Sequence, residues 1–165
     1  MKLNAPLIRV GEYPIAAILA GLPAASDPVW EADRFRQSAY PVHRLTRSIL
    51  FDWLDKDWRL GGPMRVRRYD YAPATLDAAV RACADAVLQS YPGARLARMT
   101  LAELPAGARI AAHIDNGIAI TAVHRIHVPI VTDPQVHFFI DKLSHYLEAG
   151  IVYEFDNTRL HAVDN

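Results

Sequence analysis

A mainly β protein with flanking helices, built as an antiparallel sandwich or jelly roll, is what this sequence predicts. Three observations carry that expectation. Beyond Gly93 the chain breaks into short β-favouring runs, separated by turn signals at Pro105-Ala-Gly107, Asp133-Pro134, Ala149-Gly150 and Asp156-Asn157. Only one stretch, Thr75 to Tyr91, has sustained helical spacing. No repeat, low-complexity tract or linker divides the 165 residues, a length that suits one domain with its own core. We read 1–165 as that domain, with 1–92 as an N-terminal support including a helix at 75–91, and 93–165 as the jelly-roll core.

Composition narrows the partners. Lys and Arg total 18 and Asp and Glu total 18, so no net field attracts nucleic acid or an anionic membrane. A single cysteine, Cys83, excludes an internal disulfide framework and fits a reducing cytosol, which makes a cytoplasmic location the expectation. The apolar run Ile15 to Leu22 lies between Pro14 and Pro23 and is too short to span a bilayer; it reads as a short buried helix or packing arm.

In the first sixty residues Pro6, Pro14, Pro23, Pro28 and Pro41 forbid long helices. Glu31 to Ser38 has helical composition, and Val42 to Phe51 runs into a β-favouring end. Asp52 to Arg59, with Trp53 and Trp58 among charges, reads as a surface turn or short helix, and Gly61-Gly62-Pro63 is a break. In the helix, Leu76, Ala79, Val80, Cys83, Val87 and Tyr91 form the apolar stripe, Thr75 is the expected N-cap, and Pro92-Gly93 ends it. Cys83, on that stripe, reads as a buried inert thiol. The expected strands are Ala94 to Leu104, Arg109 to Ile114, Arg125 to Val131, Val136 to Ile140, Leu143 to Leu147, Ile151 to Phe155, and one opening near Arg159.

Candidate chemistry lies between Arg109 and Asn165. On a strand, residues two apart face the same way, so His113 and Asp115 can reach one metal ion. His161 opens a later strand and can supply a third ligand. Imidazole nitrogens and a carboxylate suit one face of an octahedral Fe(II), and no cysteine cluster favours a closed zinc site. Arg125 and His127 share a face. Turned inward, they need a counter-anion, and an Arg fork suits a carboxylate; on an edge strand they would instead face solvent. Trp30, Trp53 and Trp58 read as packing residues, His43 and Arg44 as candidates for the rim of a pocket, and His137 and His145 as structural or exposed.

Four segments taken together resemble one family: Leu104-Pro-Ala-Gly-Ala-Arg-Ile-Ala-Ala-His113, His124-Arg-Ile-His-Val-Pro129, Gly150-Ile-Val-Tyr-Glu-Phe-Asp-Asn157 and His161-Ala-Val-Asp-Asn165. They resemble the aspartyl/asparaginyl β-hydroxylases over about Met99 to Asn165. Upstream, Tyr40-Pro-Val-His-Arg-Leu-Thr-Arg-Ser-Ile49 is similar to the opening segment of bacterial members. The resemblance implies a cupin-like double-stranded β-helix using Fe(II), 2-oxoglutarate and molecular oxygen to hydroxylate an amino acid or a peptidyl Asp/Asn-like side chain. It implies His113, Asp115 and His161 as metal ligands, Arg125 as a contact to an acidic substrate group, and His127 as a contact to the oxoglutarate carboxylate near the metal. The carboxylate at Asp115 favours hydroxylation over halogenation.

Two departures shape further expectations. Members usually carry an arginine about ten residues past the distal histidine to hold the far carboxylate of 2-oxoglutarate, whereas Asn165 is the last residue here, and Ala102 stands where some members have serine. We therefore expect a jelly roll without its last strand, either a fragment or a chain in which Arg44, Arg47 or another residue substitutes. Unpaired strand edges left that way would permit a dimer. The competing readings are a non-catalytic cupin-like binding domain and a metal-dependent cupin enzyme that does not use 2-oxoglutarate.

Overall fold

The structure is a computed structural model, and it describes residues 3–55 and 57–165, without the side chains of residues 118 and 119. In chain order the elements are β1 (Leu7–Glu12), α1 (Ala16–Gly21), a 3-10 turn (Pro28–Glu31), α2 (Phe35–Ala39), a second 3-10 turn (Pro41–His43), β2 (Arg47–Leu54), β3 (Val66–Arg68) and α3 (Ala74–Leu88). Then come β4 (Arg98–Glu103), β5 (Arg109–His113), α4 (Ile118–Thr121), β6 (Ile126–His127), β7 (His137–Ile140), β8 (Leu143–His145), β9 (Ile151–Phe155) and β10 (His161–Asp164). The protein is mainly β with few helices, and every strand pairing is antiparallel.

Three sheets form, ordered β1-β9-β6, β5-β10-β7-β8 and β3-β2-β4. The expected helix at 75–91 is observed as α3, but Thr75 does not cap it. The N-cap position falls to Pro73, without a side-chain hydrogen bond, and Asp77 lies in the first turn. One core packs α1 and α3 on β2 and β4 through Ile18, Ile49, Phe51, Leu76, Cys83 and Met99, with Trp30 among them. Burial holds the Cys83 thiol up at about 11, so it stays protonated and unreactive. A second cluster joins Phe138, Ile140, Leu147, Ile151, Tyr153 and Phe155.

Several expected boundaries are corrected. Asp52 to Leu54 is not a turn but the end of β2, and Lys56 in the same stretch lies outside the described residues. A carboxylate can sit in that buried strand because Arg81 Nη1 of α3 donates to Asp52 Oδ2 at 2.6 Å. Strands β1 and β3 were not anticipated: Arg9 and Gly11 interrupt the apolar pattern of one, and Arg67 and Arg68 dominate the other. The strand expected over Arg125 to Val131 shrinks to Ile126–His127. Its flanks still lie along β9, with Phe155 N donating to Arg125 O and Gly150 N to Pro129 O. Pro129 has no N–H to extend the ladder. Between β7 and β8, Asp141 and Lys142 both take positive φ, as a two-residue hairpin turn requires.

Candidate metal centre

Strand register builds the site. In the β5–β10 ladder His161 lies directly opposite His113, so both side chains leave the same face. Their rings stand 4.2 Å apart between centroids. Asp115 lies two residues past His113, beyond the end of β5. There its backbone N–H donates to Asn157 O at 3.1 Å, while Asn157 Nδ2 donates to Asp115 Oδ2 at 3.1 Å. The free Asp115 Oδ1 stands 3.7 Å from His113 Nε2. One ligand atom from each of His113, Asp115 and His161 falls within 4.8 Å of the others.

The tautomers follow from the acceptors. His113 Nδ1 is 2.8 Å from Ala111 O, and His161 Nδ1 is 2.8 Å from Arg159 O. A carbonyl only accepts, so each Nδ1 carries the proton and each Nε2 presents its lone pair. Hydrogen-bonded imidazoles of this kind are the usual form of metal-ligating histidine. Burial lowers the His161 pKa and a backbone hydrogen bond to Arg159 opposes that; the net shift favours the neutral form that binds metal. Asn157 fixes Asp115 and also reaches Ile120 O at 3.3 Å, so the third ligand is held by the β9–β10 turn. That turn is closed by Asp156, whose Oδ1 accepts from Thr158 N and Oγ1, with Arg159 alongside.

The expected pair Arg125 and His127 comes to the same region, facing inward from an edge strand. His127 packs edge-on against Phe155 at 4.8 Å and Phe138 at 5.6 Å. Desolvation chiefly, then the charges of Arg125, His161 and Arg36, push its pKa well below the usual histidine value. Arg125 is desolvated too; it is attracted by Asp115 and repelled by Arg98.

The N-terminal segment adds residues that sequence reasoning assigned differently or missed. The His43 ring meets His113 edge-on at 5.7 Å. Its Nδ1 accepts from Arg36 Nη2 at 3.1 Å, so it carries no proton there, and burial with the Arg36 charge lowers its pKa to about 3. Arg36, missed because one arginine in a short helical run carries no spacing signal, is only 8 % exposed. Burial, then repulsion from Arg125, lowers its pKa to about 10. Asn157 was read only as half of an Asp-Asn turn. Of the two arginines considered as substitutes for a carboxylate clamp, Arg44 is exposed and Arg47 pairs with Glu103 at 2.6 Å. Ala102 lies opposite buried Ser48 in the β2–β4 ladder, so that face carries a hydroxyl from the neighbouring strand. Trp30 and Trp58 pack with their Nε1 groups bonded to Ala24 O and Gly62 O, while Trp53 lies under Arg98. His137 is exposed and bonds Ser144, and His145 stands apart from the triad.

Fold and site together define a class: a mainly β, antiparallel protein whose two histidines and one carboxylate can hold a metal ion. Residues 70–165, more than half of the chain, match the family described as Aspartyl/Asparaginyl beta-hydroxylase, and the chain belongs to that family. The match begins upstream of the Met99 to Asn165 resemblance and takes in α3, while the Tyr40 to Ile49 segment lies outside it. Neither the curated proteins nor the solved structures contain a match to the chain. Among the described residues no helix is long and apolar enough to cross a membrane.

Proposed function

We propose that the protein is an Fe(II)- and 2-oxoglutarate-dependent dioxygenase with a double-stranded β-helix core, hydroxylating an amino-acid or peptidyl Asp/Asn-like side chain. The observation that carries this reading is the cross-strand pairing of His113 with His161 beside Asp115, on a chain that belongs to the hydroxylase family.

The donor set fits the ion. Two neutral Nε2 atoms and one carboxylate oxygen give mixed N/O ligation with no thiolate, suited to Fe(II). Bound iron with 2-oxoglutarate would supply oxygen activation and C–H oxidation, chemistry that no side chain performs unaided. The chain's own residues hold and orient. Ala111 O and Arg159 O keep the two imidazoles in the ligating tautomer, and Asn157 fixes the Asp115 carboxylate. Arg125 offers donors to a carboxylate. His127, uncharged between Phe138 and Phe155, would offer a hydrogen bond to a bound carboxylate without adding charge. The aromatic rings of Phe155, Phe138 and His43 limit water around the triad.

The test is Fe(II)-dependent conversion of 2-oxoglutarate to succinate, which such enzymes carry out slowly even without the substrate. Wild type should form succinate; His113→Ala should fall to the buffer rate and lose Mn(II) affinity. Metal binding without succinate would favour a cupin enzyme using another cosubstrate, and loss of both a binding domain.

A further inference from the structure

The sheet β3-β2-β4 carries a row of side chains that the metal centre does not use. Trp53 of β2 lies opposite Arg67 of β3 on one side and opposite Arg98 of β4 on the other, so the three share a face. The Arg98 guanidinium stands 4.5 Å over the Trp53 ring, and that of Arg67 stands 4.6 Å over Tyr69. Among the described residues neither arginine forms an ion pair, and Arg98 has a buried Nε without a hydrogen-bond partner. An aromatic face holds a guanidinium in place without neutralising it, so both charges stay available to an anion. Their neighbourhood is one-signed: between Asp57 and Asp70 stand four arginines and no carboxylate, although the whole chain is balanced. The row is also joined to the metal centre. Trp53 meets the exposed Phe35 ring at 5.9 Å, Phe35 meets Tyr40 at 6.4 Å, Tyr40 meets His43 at 6.4 Å, and His43 meets His113 at 5.7 Å.

We propose that Arg67, Trp53 and Arg98 form a docking row for an acidic peptide, whose chain continues over Phe35, Tyr40 and His43 to the metal centre. Charge complementarity selects the occupant. The strands bearing the two arginines lie about 10 Å apart, two strand spacings, which an extended peptide covers in about three residues. Carboxylates at that separation meet both guanidinium groups, while the aromatic rings between them take the apolar parts of the peptide. Two guanidinium groups on a chain of balanced charge release few counterions, which disfavours a nucleic acid. Trp53, Phe35, Tyr40 and His43, and Arg67 with them, lie outside the family-matched residues 70–165, so the row is a feature this chain adds to the matched region. That the docked peptide is also the molecule hydroxylated rests on the oxygenase reading; the docking itself does not.

Calorimetry on the full chain at low salt tests this, with hexaglutamate as the probe, hexaglutamine as the uncharged control and an oligothymidylate as the competing polyanion. Hexaglutamate should bind, hexaglutamine should not, and added salt should weaken the binding. The double variant Arg67→Gln, Arg98→Gln should weaken hexaglutamate about tenfold or more. Arg109→Gln, which removes the same charge from an exposed position on β5, should stay within about twofold. Hexaglutamate should also change the tryptophan fluorescence, and Trp53→Phe should abolish that change. Absent hexaglutamate binding in the wild type overturns the proposal, as does an equal loss in Arg109→Gln, which would mark a response to net charge alone. Tighter binding of the oligothymidylate overturns it in favour of a nucleic acid. Should the double variant fail to fold, exposed Arg67→Gln is read alone; a loss of about threefold supports the row, and an unchanged affinity overturns it. Succinate formation separates the two readings. Hexaglutamate binding without succinate defeats the oxygenase and leaves the row, whereas succinate without hexaglutamate binding does the reverse.

Discussion

Asn157 holds Asp115 at two points, through its carbonyl and through its amide, and is only 4 % exposed. Asn157→Leu keeps the volume but removes the side-chain donor. It should weaken Mn(II) binding about 10- to 100-fold with little change in secondary structure, measured by calorimetry and circular dichroism; an unchanged affinity would mean that the backbone contact alone positions the carboxylate. The buried histidines set a pH response. His43 is depressed to about 3, and His127 also lies well below the ordinary value. As pH falls, the unfolded chain takes up these protons first, near 6.5, so stability present above that value is lost progressively towards about 3. Each such group steepens the loss by up to about 1.4 kcal/mol per pH unit. Urea midpoints of the metal-free protein should therefore drop between about pH 7 and pH 5, and less steeply in His43→Phe. Equal slopes would show that His43 is protonated in the fold. At this scale the triad was legible, because the two-residue period puts His113 and Asp115 on one side and a later strand brings His161. Arg36 and Asn157 were not legible: their roles come from tertiary placement, which one arginine or one turn residue does not announce.

At the scale of elements, α3 is fastened to β2 by charge and by packing. Arg81 reaches both Asp77 on its own helix and Asp52 on the strand, and Leu76 is fully buried against Ile18 and Phe51. Arg81→Ala leaves the Asp52 carboxylate buried without its partner and should cost about 2 kcal/mol, while Leu76→Ala should cost about 3 kcal/mol. Chemical denaturation reads both, and an Arg81→Ala protein as stable as wild type would mean that water reaches Asp52. The helix was readable because its apolar stripe has a strong period; its start was not, since Thr75 resembles a cap while the chain begins the helix after Pro73. Strand β2 was cut short in the reading because Asp52 looks like a surface residue until Arg81 is placed beside it. Strand β6 was overextended because Arg125 to Val131 alternates well enough, yet Pro129 breaks the ladder.

Across the whole molecule, the N-terminal strands complete sheets begun by the C-terminal ones. β1 pairs with β9 and β2 with β4. A chain beginning at residue 70 would leave both partner strands with bare edges and lose Arg36 and His43, so it should aggregate on expression, as light scattering would show. Gly150 sits at the junction with φ 80°: its carbonyl accepts from Tyr13 N at 2.8 Å, its N–H reaches Pro129 O, and an added Cβ would lie 3.1 Å from Tyr13 O. Gly150→Ala should cost about 1–2 kcal/mol in a thermal melt. A change under a few tenths would mean that the junction yields easily. The β-rich character of the second half was plain in its turn-punctuated runs, but sheet order was not, because Leu7 finds Phe155 through burial on both faces of β9 rather than through any local signal.

The β1–β9 pairing also sets an order in time. Leu7 leaves the ribosome long before Phe155, its partner in register, and closing so long a loop loses chain entropy before any contact offsets it. Folding should therefore be slow for the size of the chain. The metal ligands, drawn from β5, the residues just beyond it and β10, join segments much closer in the chain than Leu7 and Phe155, so by the same argument the triad should be able to assemble before β1 docks.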